Sequence, residues 1–171
     1  MPKPYGKKRR RHMSWHTYQS LHDLAAVAEL IVIGTVTSAD PKQDTDRFVR
    51  IDGMPFGIPF IVTTVEVTNV LRGAVTAGEA VTIWQEGAEG MPTVTFPTYQ
   101  VFQVGQSYLL FLSHNERAGH HHYLAIDGPG GVYQIIVDTV YSCDGTEQGM
   151  HPWFLGQSVD RATALITEAL G

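Results

Sequence analysis

Hydrophobic and polar positions change rhythm several times along the chain, and each change marks an element. Leu21, Leu24, Ala25, Val27 and Ala28 recur at helical spacing behind Ser20, with Asp23 three positions on. An N-cap followed by a capping-box-like acid predicts a short helix over 20–29. The rhythm then becomes a β-rich run, LIVIGTVTSAD, in which Ile31, Ile33 and Val36 mix with Thr35 and Thr37. This predicts a strand buried on both faces near its start and ending at Asp40-Pro41, with Gly34 as a bulge or sharp coil. Residues 40–58 are rich in Pro, Gly and Asp and predict a long hairpin connection with an exposed tip and a short strand at 48–51. Alternation returns in IVTTVEVTNVLRG, where Val62, Val65, Val67 and Val70 are broken by Thr and Glu. EAVTIWQEG alternates again, with Val81 and Ile83 on one side and Thr82 and Trp84 on the other. A Gly/Pro/Thr-rich loop over 86–100 leads to VFQVGQSYLLFLSHN, whose Gly105-Gln106 marks a turn before a strand over 107–113. HHYLAIDGPGG and GVYQIIVDTVYS supply two or three more strands around a plain turn at 128–131. SVDRATALITEALG closes the chain as a Ser158-capped amphipathic helix carrying Val159, Ala162, Leu165, Ile166 and Leu170. Five to seven strands bracketed by two helices, with no helix-length crossover among them, predict an all-β fold: a small barrel with a short N-terminal and a C-terminal α-helix.

Composition narrows the function classes. At 171 residues, 43% hydrophobic and 17% charged, the chain holds enough apolar material for one well-buried core. Its net charge of −5 conceals an asymmetry: six of the twelve basic residues and none of the seventeen acidic ones lie in residues 1–12. The remainder is strongly acidic, which opposes binding to a phosphate backbone. We therefore divide the chain into a basic, solvated leader over 1–13 and a single barrel domain over 14–171. The leader's cations, Lys7, Lys8, Arg9, Arg10 and Arg11, are the one place where nucleic acid or an anionic surface would be held. The segment after Arg11 is polar and the later apolar run is broken by Glu29, so neither a signal peptide nor a transmembrane span is expected. A single cysteine, Cys143, excludes an intrachain disulfide and a Cys-based zinc cluster, and leaves the compartment open.

The order of phrases carries a resemblance. LAAVAELIVIGTVTS, FIVTTVEVTNVLRG, EAVTIWQEG and YQVFQVGQSYLLFLS, in that order, resemble the netrin-like, or tissue-inhibitor-of-metalloproteinase-like, OB-fold pattern. With the lead-in WHTYQSL they are also similar to a group of uncharacterised actinobacterial proteins, mostly secreted or lipid-anchored, over about residues 14–135. The resemblance implies an OB-like barrel, a binding role and relatives outside the cytoplasm. It does not imply metalloproteinase inhibition, because that mechanism uses an N-terminal cysteine and a disulfide-held barrel, and this chain has neither.

Candidate chemistry is thin. His120 and His122 share one face of a strand and His121 the other, with His114 across a connecting turn, so two or three imidazoles would converge on Zn²⁺ or Cu²⁺. The competing reading is a polar loop, since the run follows Asn115-Glu116-Arg117-Ala118-Gly119 and no H-E-x-x-H helix supports it. Ser107 and Ser113 lie in apolar β phrases without a nucleophile elbow, and Cys143 reads as an inert thiol. Asp44 with Asp46, and Glu86 with Glu89, solvate turns rather than form an acid/base pair, and no cofactor is called for. Trp84, Phe96, Tyr99 and Phe102 flank the 86–100 loop and either line an exposed groove or plug the barrel end. The function expected from all this is a non-enzymatic binding module that meets a protein or cell-envelope partner through loops at 40–58 and 86–100. The alternatives are binding of nucleic acid or an anionic surface by the basic leader, and His-dependent metal binding.

Overall fold

A computed structural model describes residues 18–51, 54–86, 102–117, 119–126, 128–143 and 151–171, with backbone alone for 41–51, 54–59, 86, 117, 128 and 129. Helix α1 (Leu21–Val27) opens it, followed by strands β1 (Leu30–Ile51), β2 (Met54–Arg72), β3 (Ala80–Glu86), β4 (Ser107–Arg117) and β5 (His120–Ala125). A 3₁₀ turn over Gly128–Gly131 then leads to β6 (Val132–Ile136), β7 (Thr139–Ser142) and helix α2 (Val159–Leu170). The strands form one seven-stranded sheet ordered β1-β2-β3-β5-β4-β6-β7, and β4 also pairs with β1. That extra pairing closes β1, β2, β3, β5 and β4 into a ring of five strands. The mostly β class, the barrel-like ring and the terminal helices thus follow the hydrophobic pattern.

The two kinds of apolar run seen in the sequence correspond to two kinds of strand. In β1, Leu30, Val32 and Val36 point into the ring, while Ile31 and Ile33 join the cluster beneath the helices. In β4, Tyr108, Leu110 and Leu112 point inward and Leu109 and Phe111 outward. Burial on both faces is why LIVI and YLLFL are continuously apolar. β2 and β3 bury one face, and their sequences alternate: Ile61, Thr63, Val65 and Val67 are buried, as are Val81, Ile83 and Gln85. Val62, grouped by sequence with Val65 and Val67, is on the opposite face. Val70 returns to the inner cluster because the register shift between Ile33 and Gly34 on β1 sets an extra residue into β2 between Val67 and Asn69.

The outer cluster positions the helices. Leu24 and Ala25 of α1 with its C-cap Ala28, Ala162 and Ile166 of α2, and Phe154 pack on Ile31, Ile33, Leu109, Phe111 and Tyr133. Each fully buried Leu, Ile or Phe here contributes roughly 1.5–3 kcal/mol by leaving water. Ser20 Oγ accepts from the Asp23 amide at 3.1 Å and Ser158 Oγ from the Arg161 amide at 3.1 Å, so both expected caps form. Arg72 Nη1 donates to the Ala25 carbonyl at 2.8 Å near the end of α1, where free carbonyls favour a cation. Gly34 sits at a register shift, and a Cβ there would lie 2.7 Å from the Glu66 carbonyl oxygen and against Val65 Cγ1. The expected bulge is therefore also a close approach of two strands.

Three boundaries differ from expectation. β1 runs through Asp40-Pro41 to Ile51, and β2 starts at Met54, so the expected hairpin connection is β-ribbon along both arms, 40–51 and 54–58, with a register shift between Asp44 and Phe48, rather than a connection with one short strand. Its prolines are tolerated because this stretch of β1 pairs only with β2 among the described residues, leaving edge positions that need no ladder donor. β4 likewise continues past 113 to Arg117, because 112–117 pair with 120–125. The turn at 128–131 is a 3₁₀ turn, in which a Cβ on Gly131 would collide with the Ile126 carbonyl oxygen.

Candidate functional site

β3, β5 and the end of β4 bring histidines and aromatics together on two faces. On the outer face Trp84 lies parallel to His122, with ring centroids 3.7 Å apart and planes 6° from coplanar. Phe60 of β2 is 4.9 Å from Trp84, and His120 is 6.3 Å away. His122 is buried; Asn115 Nδ2 donates to its Nε2 at 3.2 Å, and its Nδ1 donates to the His120 carbonyl at 3.3 Å. Both ring nitrogens are thus engaged by one neutral tautomer, and the imidazole is held as part of an aromatic stack.

His114 is on the other face. β4 and β5 pair His114 with Tyr123 and Glu116 with His121, which places His121 diagonally across from His114. His114 Nε2 and His121 Nδ1 are 3.2 Å apart, and His121 Nε2 is 4.0 Å from Glu116 Oε1. The side chains of His121 and Glu116 are 65% and 57% exposed. The expected association of His114 with His120 and His122 therefore does not form. Strand alternation sends His120 and His122 outward and leaves His114 with His121. Among the described residues no three His, Cys, Asp or Glu side chains converge as a metal-holding group.

The aromatic candidates separate. Trp84 is partly exposed on the outer face, whereas Phe102 is a core residue, edge-on to Tyr108 at 5.0 Å, and closes the ring's interior instead of lining a groove. Phe96 and Tyr99 lie outside the described residues, as do Lys7, Lys8, Arg9, Arg10 and Arg11. Tyr108 Oη accepts from the Gln103 amide at 3.1 Å. Burial holds its phenol above the usual tyrosine range, the Gln103 hydrogen bond opposes that shift, and nearby Cys143 reinforces it. Cys143 itself is buried. Among the described residues no helix is long and apolar enough to cross a membrane.

A third feature has no counterpart in the hydrophobic pattern. Among the described residues the most exposed large hydrophobic side chains are Val137, 90% exposed, and Val104, 61% exposed, with Ile136 at 39%. They share one end of the β4–β6 pair: Ser107 pairs with Ile135, and Gln134 Nε2 donates to Gln106 Oε1 at 3.2 Å. The turn before β4 and the turn after β6 are thereby held side by side. Val137 and Asp138 join β6 to β7 with φ of 46° and 61°. A two-residue hairpin with left-handed central residues normally takes Asn-Gly or Asp-Gly, and a β-branched residue fits it poorly. The only sequence signal was that "VD" stands where "NG" would be the ordinary turn. Val27 and Leu124, the other exposed large hydrophobics, sit singly on α1 and β5. The chain matches no protein-family model, and no curated protein matches it.

Proposed function

We propose that this chain is a non-enzymatic binding module on an OB-like, netrin-like barrel, which recognises a protein or cell-envelope partner through turns at one end of the ring. The ring of five strands supports the OB-like reading, since OB barrels are five-stranded. The observation that carries the binding reading is Val137. Its left-handed backbone costs roughly 1–2 kcal/mol for an L-residue. With 90% of the residue in solvent, little packing within the chain offsets that cost. Strained, exposed apolar residues at a turn are characteristic of contact sites, and Val104 and Ile136 extend the same end.

The test uses three full-length baits in an extract of source cells and envelope: the natural chain, a V104S/I136T/V137N variant, and a variant with Lys7, Lys8, Arg9, Arg10 and Arg11 changed to Gln. Quantitative mass spectrometry should find the same partners on the natural chain and the Gln variant, and lose them from the turn variant. Partners that stay on the turn variant, or leave with the basic residues, would overturn the proposal; the second outcome would assign binding to the leader.

A further inference from the structure

We propose that the β4–β5 hairpin carries a divalent transition-metal site formed by His114 Nε2 and His121 Nδ1, with Glu116 supporting His121 from behind. Two imidazole nitrogens bound to one ion at about 2.0–2.1 Å each must lie roughly 2.9–3.4 Å apart at tetrahedral or square-planar angles. His114 Nε2 and His121 Nδ1 are 3.2 Å apart before any ion is considered. Cross-strand pairing fixes that spacing: the two histidines are diagonal neighbours on one face of a ladder whose register is set from Leu112↔Ala125 through Arg117↔His120. Tyr123 braces His114 edge-on at 5.6 Å, and the His114 amide donates to Glu29 Oε1 at 3.3 Å. The ladder thus presets the backbone and His114, and the exposed His121 side chain is what binding orders.

The third partner is the one a ligating histidine ordinarily has. Metal-bound imidazoles donate their other N–H to a carboxylate or carbonyl, which fixes the tautomer and raises ligand basicity. Glu116 Oε1 lies 4.0 Å from His121 Nε2, on the side away from His114; this is beyond hydrogen-bond distance, and a small rotation of the exposed carboxylate brings it into reach. A proton kept on Nε2 beside that carboxylate leaves Nδ1 as the lone pair facing His114. Without metal, His114 Nε2–H donates to that lone pair. With metal, the His114 proton sits on its Nδ1, which leaves Nε2 to ligate. Two protein nitrogens and open solvent positions suit Cu²⁺ above Zn²⁺, following imidazole preference and the divalent affinity order. His122 takes no part, because its ring nitrogens already hold Asn115 and the His120 carbonyl.

The test is titration of the full-length chain with CuCl₂ and, separately, ZnCl₂ at pH 7.5, read by calorimetry and, for Cu²⁺, by electron paramagnetic resonance. The expected result is one site per chain with two nitrogen couplings and Cu²⁺ tighter than Zn²⁺. It should be abolished by H114A or H121A, weakened about tenfold by E116Q, and unchanged in H120A. Because His121 and Glu116 are exposed, H121A and E116Q leave the fold intact, which thermal melting verifies. Absence of a site in the natural chain, retention in H114A and H121A, or loss with H120A instead would each overturn the assignment.

Discussion

Replacing Val137 with Asn isolates the physical oddity on which the binding reading depends. At φ 46° the Val137 Cβ crowds its own carbonyl oxygen, and branching at Cβ worsens the clash. Asn is among the few residues that enter this region readily, because its side chain hydrogen-bonds locally. Of the roughly 1–2 kcal/mol that the left-handed conformation costs, Asn should recover about 1 kcal/mol. Side-chain burial does not cancel the gain, since Val137 is 90% exposed. For a chain of this size about 1 kcal/mol corresponds to a rise in Tm of roughly 2–4 °C. Calorimetry together with urea unfolding measures it, with the m-value unchanged if only the native turn is affected. Val137→Gly should gain less, because it relieves the clash while loosening the unfolded chain. A V137N protein no more stable than the natural one would refute the reasoning: either the turn is not left-handed or Val137 makes packing contacts that stabilise the chain.

Gly34→Ala should destabilise the ring by about 1–3 kcal/mol, as overpacking does, because its Cβ would press on the Glu66 carbonyl and Val65; urea unfolding decides it, and an unchanged midpoint would mean the strands separate freely there. Tyr108→Phe removes the hydrogen bond from the Gln103 amide and should cost about 1 kcal/mol at neutral pH. Because burial raises the folded phenol above its unfolded value near 10, its stabilisation is complete below about pH 10 and is lost as pH rises through the folded pKa. The stability gap between natural chain and Y108F should therefore narrow in alkaline solution, and a constant gap would contradict a buried neutral phenol.

How far the fold was legible depends on where its specification is local. The caps at Ser20 and Ser158, the alternation of β3 and the doubly apolar start of β1 are all written in neighbouring residues, and all four are present. Pro, Gly and Asp over 40–58 read as a hairpin connection with only a short strand at 48–51 because turn propensity is a local preference, whereas an edge ribbon accepts those residues wherever no donor is needed. The histidines were misgrouped for another reason: which imidazole faces which is set by the β4–β5 register, and a strand taken to end at 113 has no register with 120–122. Phe154 carries no local signal at all. It lies in an irregular segment, yet it is fully buried, edge-on to Tyr133 at 5.1 Å and nearly parallel to Phe111 at 6.2 Å. No periodicity announces a plug of that kind.

The most direct test of an interface at the end of the ring is site-specific photo-crosslinking in source cells. A benzophenone amino acid is placed at position 137 and, in a second protein, at Thr68, an exposed position on β2. A discrete adduct formed from position 137 and absent from Thr68 is the predicted result. No adduct at 137, or the same adducts from both positions, would contradict a binding surface built on Val104, Ile136 and Val137.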